Sequence, residues 1–453
     1  MDRRSVSAEQ VLRAIRKCGV EYIRLETLDI AGIVRCRVVR PNLLEKVFDE
    51  GLNMSKAIFS FTVLEHMVPK PKWGPQDADF YMFPDTSTHV QVPYLEKTSR
   101  MYTWLLDEKK HPWEGDTRGN LKAALGKIAQ KKLEAVAAFE AEGYLLRRAN
   151  GGHEPADHSR CFTADGLDIQ HALLNDVFNS LNSMGISTEK ATAEYGPGQY
   201  EVNFGHRRLL EACDNFVTFR QAWRAIARKH GLLGTFMPKP IKGLAGSGLH
   251  LHLNLVDSET GRNAFFDKRD KRGIGLSAEA YHFLGGLLEH APALVAIGAP
   301  SVNSYKRLRP GTWAPTHASY GVGNRSVMIR VPRKMSASTR LEFRAADGTC
   351  NPYLLAHALL AAGMHGMEEE MDPGPPTEDD IGSRSDAQAE VGDSRRLPES
   401  LLEAITALKE DDDLIRRVSV PVLEEFIKIK RAEWDDYQDH VSEWETRTYM
   451  DTF

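Results

Sequence analysis

The stretch GSGLHLHLNL, residues 246–255, alternates leucine with polar residues along its last seven positions. Successive side chains of a β-strand point to opposite faces, so the leucines would enter a core while His250, His252 and Asn254 would line a polar surface. Two imidazoles on one strand face are compatible with a ligand site, although hydrogen-bonded surface histidines are the more common explanation. The stretch therefore predicts a half-buried strand with an ionisable face.

The same alternation recurs in two other segments, and a fourth segment places carboxylates on either side of a Gly-Pro-Gly turn. The three segments are FEAE (139–142), RLEFR (340–344) and AEYGPGQYEVNF (193–204), and their ionisable residues are Glu140, Glu142, Arg340, Glu342, Arg344, Glu194 and Glu201. Carboxylates gathered in one cavity repel each other and take up protons unless divalent cations neutralise them. Such oxygen ligands suit Mg²⁺ or Mn²⁺ better than zinc. The pattern predicts a metal site, with solvated strand faces as the alternative.

The bulk composition excludes several classes of protein. A chain of 453 residues exceeds the usual size of one domain, and its 42% hydrophobic and 27% charged residues are typical of a globular protein. A net charge of -5 gives no electrostatic reason to expect a nucleic acid or an anionic membrane as partner. The five cysteines contain no CxxC pair, which argues against a disulfide framework or a zinc site. No apolar stretch is long enough to span a bilayer, and we expect a cytoplasmic protein.

Turn-forming residues divide the chain into two parts. The segment HPWEGD, residues 111–116, interrupts the pattern, so we expect a first domain over residues 1–112 and a second over residues 113–453. The second domain is predicted to have an α+β fold, in which helices over residues 166–184 and 212–230 separate the ionisable strands. The acidic segment 368–398, rich in Pro, Gly, Ser and Asp, predicts a mobile surface excursion.

An arginine set accompanies the carboxylates. Arg307, Arg325 and Arg330 lie within residues 303–332, just before Arg340 and Arg344. The planar guanidinium fork suits carboxylate and phosphate oxygens, so the set predicts an anionic substrate bound together with a nucleotide. Metal ligands and arginines together indicate phosphoryl transfer, with positive charge stabilising the transition state.

Several ordered motifs resemble those of the glutamine synthetase superfamily. They are FEAEGYLL, TEKATAEYGPGQYEVNF, FMPKPIKGLAGSGLHLHLNL, NSYKRLRPG, NRSVMIRVP, RLEFRAADGTCNPYL and RAEWDDYQDHVSEWE, which together extend over most of the chain. The resemblance implies an N-terminal β-grasp domain and a catalytic domain with a curved antiparallel sheet flanked by helices. It also implies homo-oligomeric rings, with a dodecamer expected, in which neighbouring subunits share active sites.

The resemblance also implies roles for individual residues. Two or three Mg²⁺ or Mn²⁺ ions per site would be held by Glu142, Glu194 and Glu201 nearer the substrate and by Glu140, His250 and Glu342 nearer the nucleotide phosphates. ATP would contact Glu189, His252, Asn254, Arg325, Arg330 and Arg340. L-Glutamate would be held by Glu142, Gly246, His250, Arg307 and Arg344. In the implied reaction the γ-carboxylate attacks the terminal phosphate of ATP, and a nitrogen nucleophile then displaces phosphate, with Arg307, Arg325 and Trp313 as the expected catalytic residues.

The chain departs from the family pattern where ammonium would bind. The loop PGTWAP, residues 310–315, carries Trp313 in place of the family's glutamate, and Ser55 stands where an ungapped alignment expects an aspartate. An apolar and aromatic pocket would disfavour a charged ammonium and favour an organic amine. Ala245 replaces an asparagine near the glutamate amino group, which would relax specificity. Arg395 replaces the tyrosine that some members adenylylate, so that regulation is expected to be absent.

Three functions remain open on the sequence. The first is an ATP-dependent ligase that forms γ-glutamyl amides from an organic amine, similar to the γ-glutamylmethylamide synthetase-like group or the alkyl- and arylamide synthetases. The second is an ammonia-using glutamine synthetase with a different ammonium site. The third, disfavoured because the expected metal ligands are all present, is a catalytically silent assembly protein.

Overall fold

The computed structural model describes residues 6–149, 151–333, 336–383 and 395–453. Residues 6–112 contain a six-stranded mixed sheet with the order β2-β1-β6-β4-β3, in which β5 pairs with β6 and β1 runs parallel to β6. The strands are β1 (Tyr22–Leu28), β2 (Val34–Val39), β3 (Leu52–Ser55), β4 (Asp79–Pro84), β5 (Val90–Gln91) and β6 (Thr98–Leu106). Two helices accompany them, α1 (Ala8–Lys17) and α2 (Leu44–Glu50).

Local sequence explains how this first unit is built and joined to the rest. Ser7 caps α1 by accepting the Gln10 N–H at 3.2 Å, while the Gln10 side chain accepts the Ser7 N–H at 2.8 Å. Gly32 lies at the β1–β2 turn with φ +84°, and a Cβ there would come within 3.2 Å of the Asn351 backbone nitrogen. Glycine is needed at this turn because the backbones of the two parts of the chain approach closely.

The remainder of the chain forms a ten-stranded sheet built around β7, a strand of 17 residues. The sheet order is β14-β15-β16-β13-β7-β10-β9, and β8, β11 and β12 also pair with β7. Only β14 and β15 pair in parallel within the described sheet. The strands are β7 (Leu133–Ala149), β8 (Gly152–Pro155), β9 (Thr188–Ala193), β10 (Gln199–Phe204), β11 (Arg207–Arg208), β12 (Leu233–Thr235), β13 (Leu249–Asp257), β14 (Tyr320–Val322), β15 (Ile329–Val331) and β16 (Leu341–Phe343).

Helices cover the apolar side of this sheet, and α3 and α6 pack directly on β7. The α-helices are α3 (Thr117–Gln130), α4 (Ala164–Ile169), α5 (His171–Ser183), α6 (Leu209–Lys229), α7 (Ala278–Glu289), α8 (Ala291–Gly298), α9 (Pro352–Glu368), α10 (Leu401–Glu410), α11 (Asp412–Val418), α12 (Val420–Asp439) and α13 (Glu443–Tyr449). Short 3₁₀ helices span Pro41–Leu43, Lys56–Ser60, Thr86–Thr88, Val302–Lys306 and Ile381–Ser383. Among the described residues, no helix has both the length and the apolar character needed to cross a membrane.

The structure confirms the expected α+β class, although the curled sheet is mixed where an antiparallel one was expected, because β14 and β15 pair in parallel. The strand expected in the stretch 246–255 is β13, which begins at Leu249 and ends at Asp257. All four leucines of β13 are buried, Leu249, Leu251 and Leu255 completely and Leu253 with 4% exposed. These side chains belong to the same core as Phe139 of β7, because alternate residues of paired strands share a face.

Two sequence-based expectations about helices were wrong in detail. The helix expected over residues 166–184 is divided into α4 and α5 at Gln170, whose side chain donates to Asp157 at 3.2 Å. The other, expected from residue 212, begins at Leu209 and ends at Lys229. The excursion predicted at residues 368–398 lies partly outside the described residues, and its described part contains irregular backbone with one 3₁₀ turn.

Candidate active site

Strand register gathers the ionisable side chains on one face of the large sheet. On β7, Glu142 lies opposite Glu201 of β10, and Glu140 lies opposite both Asn203 of β10 and His250 of β13. On the far side of β13, His252 lies opposite Glu342 of β16, which in turn lies opposite Arg330 of β15. Directly opposed residues share a face, so five strands contribute to a single polar surface opposite the leucine-rich core.

Atomic distances show that these side chains converge. His250 Nδ1 lies 3.7 Å from Glu140 Oε2 and 3.6 Å from Glu342 Oε1, and His252 Nε2 lies 3.2 Å from Glu140 Oε1. Two groups have ligand atoms within 4.8 Å of one another, Glu140 with His252 and Glu342, and Glu140 with Glu201 and His250. Glu140 is thus common to two places where a cation could be held.

The carboxylates on the Glu201 side repel one another. Burial raises the pKa of the Glu201 carboxyl to about 8, with further contributions from Glu140, Glu142 and Glu194. Burial, followed by Glu142, also raises the pKa of the Glu194 carboxyl to about 7. A divalent cation would remove this repulsion, and a set of carboxylate oxygens with one imidazole suits Mg²⁺ or Mn²⁺. The residues therefore fit the metal ions that the sequence motifs imply.

The Glu342 side is balanced differently, by positive charge from the protein. Glu342 is fully buried, accepts a hydrogen bond from Arg344 at 2.6 Å and another from Arg330 Nε. Burial alone would raise the pKa of the Glu342 carboxyl, but His252, His250 and the two arginines lower it to about 2. The raised pKa on one side lets Glu201 take up a proton near neutral pH, whereas the lowered pKa keeps Glu342 ionised there. Opposite pKa shifts of this kind are typical of functional sites.

Hydrogen bonding assigns the tautomer of His252. Arg340 Nε donates to His252 Nδ1 at 3.0 Å. Because a guanidinium can only donate, Nδ1 must accept, and the neutral ring carries its proton on Nε2, facing Glu140. With its Nε2 proton in place, His252 is a hydrogen-bond donor toward Glu140, and a cation held by Glu140, His252 and Glu342 would have to displace that proton.

Arg307 is held beside Glu142 by the backbone of the loop after β16. Its guanidinium donates to the carbonyl oxygens of Arg344, Ala345 and Ala346 at 3.0, 3.3 and 3.1 Å. Space for it depends on Gly248, where a Cβ would lie 2.6 Å from Arg307 Nη2.

Gln199, which the sequence reasoning missed, links the expected glutamate-binding residues to one another. Its Nε2 donates to the Gly246 carbonyl at 2.9 Å and lies 3.3 Å from Glu142 Oε2, which also accepts the Gly248 N–H at 2.7 Å. Its position in the motif GPGQYE, two residues before Glu201, was the available signal. Nearby, Arg344 Nε is buried with no hydrogen-bond partner among the described residues, so it remains available to a bound anion.

Three exposed aromatic rings border the Glu194 side of the site. The Trp313 ring centroid lies 5.3 Å from that of Tyr195, which lies 5.6 Å from that of Phe162. Their side chains are 58, 52 and 62% exposed respectively. Both Trp313 (φ +58°) and Phe162 (φ +57°) adopt the left-handed conformation, which is rare for aromatic residues and typical of functional sites. We call Phe162, Tyr195 and Trp313 the aromatic wall.

Sequence reasoning identified only Trp313 of this wall. Tyr195 directly follows Glu194 in the turn motif, which could have drawn attention to it, whereas no sequence pattern connects Phe162 to either residue. Trp313 also borders a cavity of about 320 Å³ together with Arg325 and Arg333. Arg325 is exposed and lowers the pKa of Glu194, which places its charge near the carboxylates.

The other expected site residues are less tightly grouped. Asn254 lies on the polar face of β13 beyond His252, and Glu189 is exposed on β9 with its carboxylate close to Gly205. Ser55 lies at the end of β3 in the first sheet, where its hydroxyl accepts the Ala57 N–H at 3.3 Å. Within the described part of one chain, none of the contacts of Ser55 reaches the aromatic wall.

The chain is similar to known proteins over nearly its whole length. A family model described as glutamine synthetase, catalytic domain, matches residues 114–449. A glutamate–methylamine ligase of Methyloversatilis universalis is 36% identical over 462 aligned residues, covering 99% of this chain and all of that protein. A glutamine synthetase of Thermus thermophilus is 35% identical over 455 residues, covering 98% of this chain and 99% of that protein. A solved structure described as a GmaS/ADP complex superposes with a TM-score of 0.87 at 31% identity, covering 97% of this chain and 99% of that one.

Proposed function

The chain belongs to the glutamine synthetase family, and from that membership we propose that it joins an organic amine to L-glutamate. It is an ATP-dependent ligase that acts on the γ-carboxylate through γ-glutamyl phosphate and yields a γ-glutamyl amide, ADP and phosphate. The relative from Methyloversatilis universalis is named for this kind of reaction, with methylamine as the amine. The strand-ordered set of carboxylates, histidines and arginines supports the ligase chemistry.

In the proposed first step, Arg307 and Arg344 orient the glutamate, and Glu142, Gly246 and His250 complete its pocket. Arg344 has the buried, unpartnered Nε that an anionic group can occupy. Attack by the γ-carboxylate on ATP develops negative charge on the transferred phosphoryl group, and we assign Arg325, Arg330 and Arg340 to stabilise it. Glu189, His252 and Asn254 are assigned to ATP binding, with the Nε2–H of His252 as a fixed donor.

The proposed metal ligands are Glu142, Glu194 and Glu201 for one ion and Glu140, His250 and Glu342 for another. Bound Mg²⁺ or Mn²⁺ would neutralise the carboxylates and the phosphate oxygens of ATP. The protein contributes the buried face that holds these oxygens together in spite of their repulsion. His250 lies within 3.7 Å of both Glu140 and Glu342, which supports its assignment with them.

The choice of an organic amine rests on one observation, the aromatic wall beside Glu194. Trp313 stands in the loop where ammonia-using members have a glutamate, and its ring packs against Tyr195. Aromatic faces bind the apolar body of an amine and also attract its cationic form, whereas they offer ammonium no carboxylate to receive a proton. Apolar surroundings lower the pKa of a bound amine and so raise the fraction that is neutral and nucleophilic.

We also propose how the subunits assemble around the amine pocket. We assign residues 1–112 to a β-grasp domain that supplies Ser55 to the amine pocket of a neighbouring subunit, and residues 113–453 to the catalytic domain. The position of Ser55 on the first sheet, away from the aromatic wall of its own chain, supports this sharing. Homo-oligomeric rings, with a dodecamer as the expected form, would place the two parts of the pocket together.

Isotope transfer tests the ligase chemistry separately from the amine. L-Glutamate labelled with ¹⁸O in its γ-carboxylate is incubated with ATP, Mg²⁺ and each of several amines, and phosphate and amide are analysed by mass. Formation of γ-glutamyl phosphate transfers one ¹⁸O atom to phosphate for every amide formed. Unlabelled phosphate accompanying amide formation would contradict the acyl phosphate, and absence of turnover with every amine and with ammonium would favour the silent assembly protein.

A further inference from the structure

A second cavity lies between three helices and shares no residue with the candidate active site. It has a volume of about 420 Å³ and is bordered by α3, α9 and α11. This volume is within the range of small-molecule sites in proteins, roughly 300–1,000 Å³. The cavity is therefore large enough for a small metabolite, and neither the proposed reaction nor the family comparisons assign it a ligand.

The floor of the cavity is apolar. Ala123 and Ile128 of α3 and Leu360, Ala361 and Met364 of α9 contribute to it. Alanine at the facing positions of α3 and α9 leaves the space between the two helices unfilled. Such a floor suits the apolar body of an organic molecule better than an inorganic ion.

A buried imidazole without a partner opens onto this floor. His357 of α9 is 6% exposed, borders the cavity, and has no hydrogen-bond partner in the part of the chain that the structure describes. Burial, followed by the charge of Lys127, lowers the pKa of His357 to about 4, so the ring is neutral at physiological pH. Neither ring nitrogen is among the buried side-chain atoms that lack a partner, so the ring reaches the cavity, where a bound molecule can form a hydrogen bond with it.

The rim of the cavity is positively charged. Its charged border consists of Lys127, Lys131, Arg416 and Arg417, and Glu368 is the only carboxylate among the described residues that line it. Glu368 accepts from Lys131 at 3.1 Å and from Arg417 at 2.6 Å.

Of the two other cations at the rim, one forms an ion pair with a carboxylate outside the cavity and one forms no ion pair among the described residues. Arg416 pairs with Asp413 at 2.6 Å, and both side chains are exposed. Lys127 has no ion-pair partner among the described residues, although its charge acts on His357. An excess of cations over an apolar floor is the pattern expected where an organic anion binds.

We propose that this cavity, which we call the α3/α9 pocket, binds a small organic anion, with its charged group at Lys127 and His357 and its apolar body against α3 and α9. Carboxylate and phosphate ester head groups share this chemistry, and the pocket is separate from the substrate sites. The proposal is independent of the amine specificity, because none of the residues that form the pocket takes part in the reaction.

The test uses anilinonaphthalene sulfonate, a fluorescent aromatic anion, with the full-length protein and saturating Mg·ADP to occupy the nucleotide site. We expect one saturable site per chain. Lys127→Ala should weaken its affinity by about two- to fivefold, the range for loss of one exposed charge contact. Ala361→Trp should abolish binding by filling the pocket, and Lys122→Ala, on the same helix outside the pocket, should leave it unchanged.

A second substitution and a competition series keep the test decisive. Ala123→Leu also fills the pocket, from the exposed side of α3. This variant replaces Ala361→Trp in the test if circular dichroism shows that Ala361→Trp does not fold. Phenyl phosphate and phenylacetate should displace the probe, the relative affinities distinguishing the two head groups, whereas benzyl alcohol, which has the same ring without charge, should not. Equal binding by all variants, equal displacement by benzyl alcohol, or the absence of a saturable site would each overturn the proposal.

Discussion

The indole ring of Trp313 lies 5.3 Å from the phenol ring of Tyr195, the residue that immediately follows Glu194. This contact joins the loop after the Val302–Lys306 3₁₀ helix to the turn between β9 and β10. The two aromatic residues are 118 positions apart in the sequence. It brings an aromatic surface to the edge of the carboxylate cluster. The nature of the nitrogen nucleophile depends on this relationship.

Replacing Trp313 by glutamate should move specificity toward ammonium. The substitution restores a carboxylate that can hold the cation and receive its proton, and it removes aromatic surface from the amine pocket. We expect the ratio of kcat/KM for ammonium to that for isopropylamine to rise by about 10- to 100-fold, equivalent to a few kcal/mol of differential binding. Steady-state phosphate release measures both constants. Trp313→Phe is the matched control, and an identical ratio in the glutamate and phenylalanine variants would count against a role for the carboxylate.

Truncating the other two rings should affect large amines more than small ones. Phe162→Ala and Tyr195→Ala remove apolar contact area that methylamine barely reaches and that a larger amine covers. We expect kcat/KM for isopropylamine or aniline to fall by about tenfold, chiefly through KM, and that for methylamine to fall less. Trp444→Ala removes an equally exposed ring from α13 and serves as control. A uniform decrease for all amines would indicate a structural role for the wall.

Metal binding should be linked to protons on the Glu201 side of the site. In the metal-free protein the pKa is raised to about 7 for Glu194 and to about 8 for Glu201. The contribution of these two carboxyls to the free energy of unfolding is therefore fully present below about pH 4.5, the usual pKa of a glutamate carboxyl. It is lost as the pH rises through 7 and 8, because the folded protein must then hold repelling charges. We therefore expect the Tm measured in EDTA to fall over this range. Saturating Mg²⁺ should largely remove the decrease.

The control for this pH dependence is Glu201→Gln, which cannot ionise. The variant should show a shallower decrease of Tm with pH in EDTA and should release fewer protons on Mg²⁺ binding, as measured by calorimetry in buffers of different ionisation enthalpy. A metal-free protein whose stability does not change, or rises, between about pH 6 and about pH 8.5 would contradict the assignment of repelling carboxylates.

Substituting Gly248 should damage glutamate binding through Arg307. A methyl group at this position would lie 2.6 Å from Arg307 Nη2 and 3.0 Å from His250 Nε2, so the guanidinium must move from its carbonyl oxygens. We expect Gly248→Ala to raise KM for glutamate by about tenfold or more, since a displaced charged contact costs about 1.5–3 kcal/mol. Gly126→Ala is the control, because a Cβ there meets no atom within 4 Å, and it should be neutral or slightly stabilising in α3.

The alternation of leucine and histidine in β13 was sufficient to predict a strand, its buried face and its polar face, because the period of a strand is a local property. The motifs FEAE and RLEFR predicted β7 and β16 in the same way. Register is not local, because the opposition of Glu140 and His250 depends on pairing across more than a hundred residues. The resemblance to a family grouped these two residues as metal ligands, but neither it nor the periodicity predicted that they lie opposite each other.

The aromatic wall was predictable only in part. Trp313 stood out because it replaces a residue expected at that position, whereas Phe162 and Tyr195 become neighbours only through tertiary packing. The division of one predicted helix at Gln170 has a similar origin, because Asp157 accepts hydrogen bonds from Gln170, Ser159 and Tyr200 and so fixes the chain at that point. Contacts of this kind override local helical periodicity.

The most direct test of the account compares organic amines with ammonium in the unmodified protein. Phosphate release from ATP is measured with Mg²⁺, L-glutamate and either ammonium, methylamine, isopropylamine or aniline, and each amide is confirmed by mass. We predict that at least one organic amine exceeds ammonium in kcat/KM by about 100-fold or more, roughly 3 kcal/mol of selectivity. Ammonium matching or exceeding every amine would contradict the central claim and identify the protein as a glutamine synthetase whose ammonium site does not depend on the family's loop glutamate.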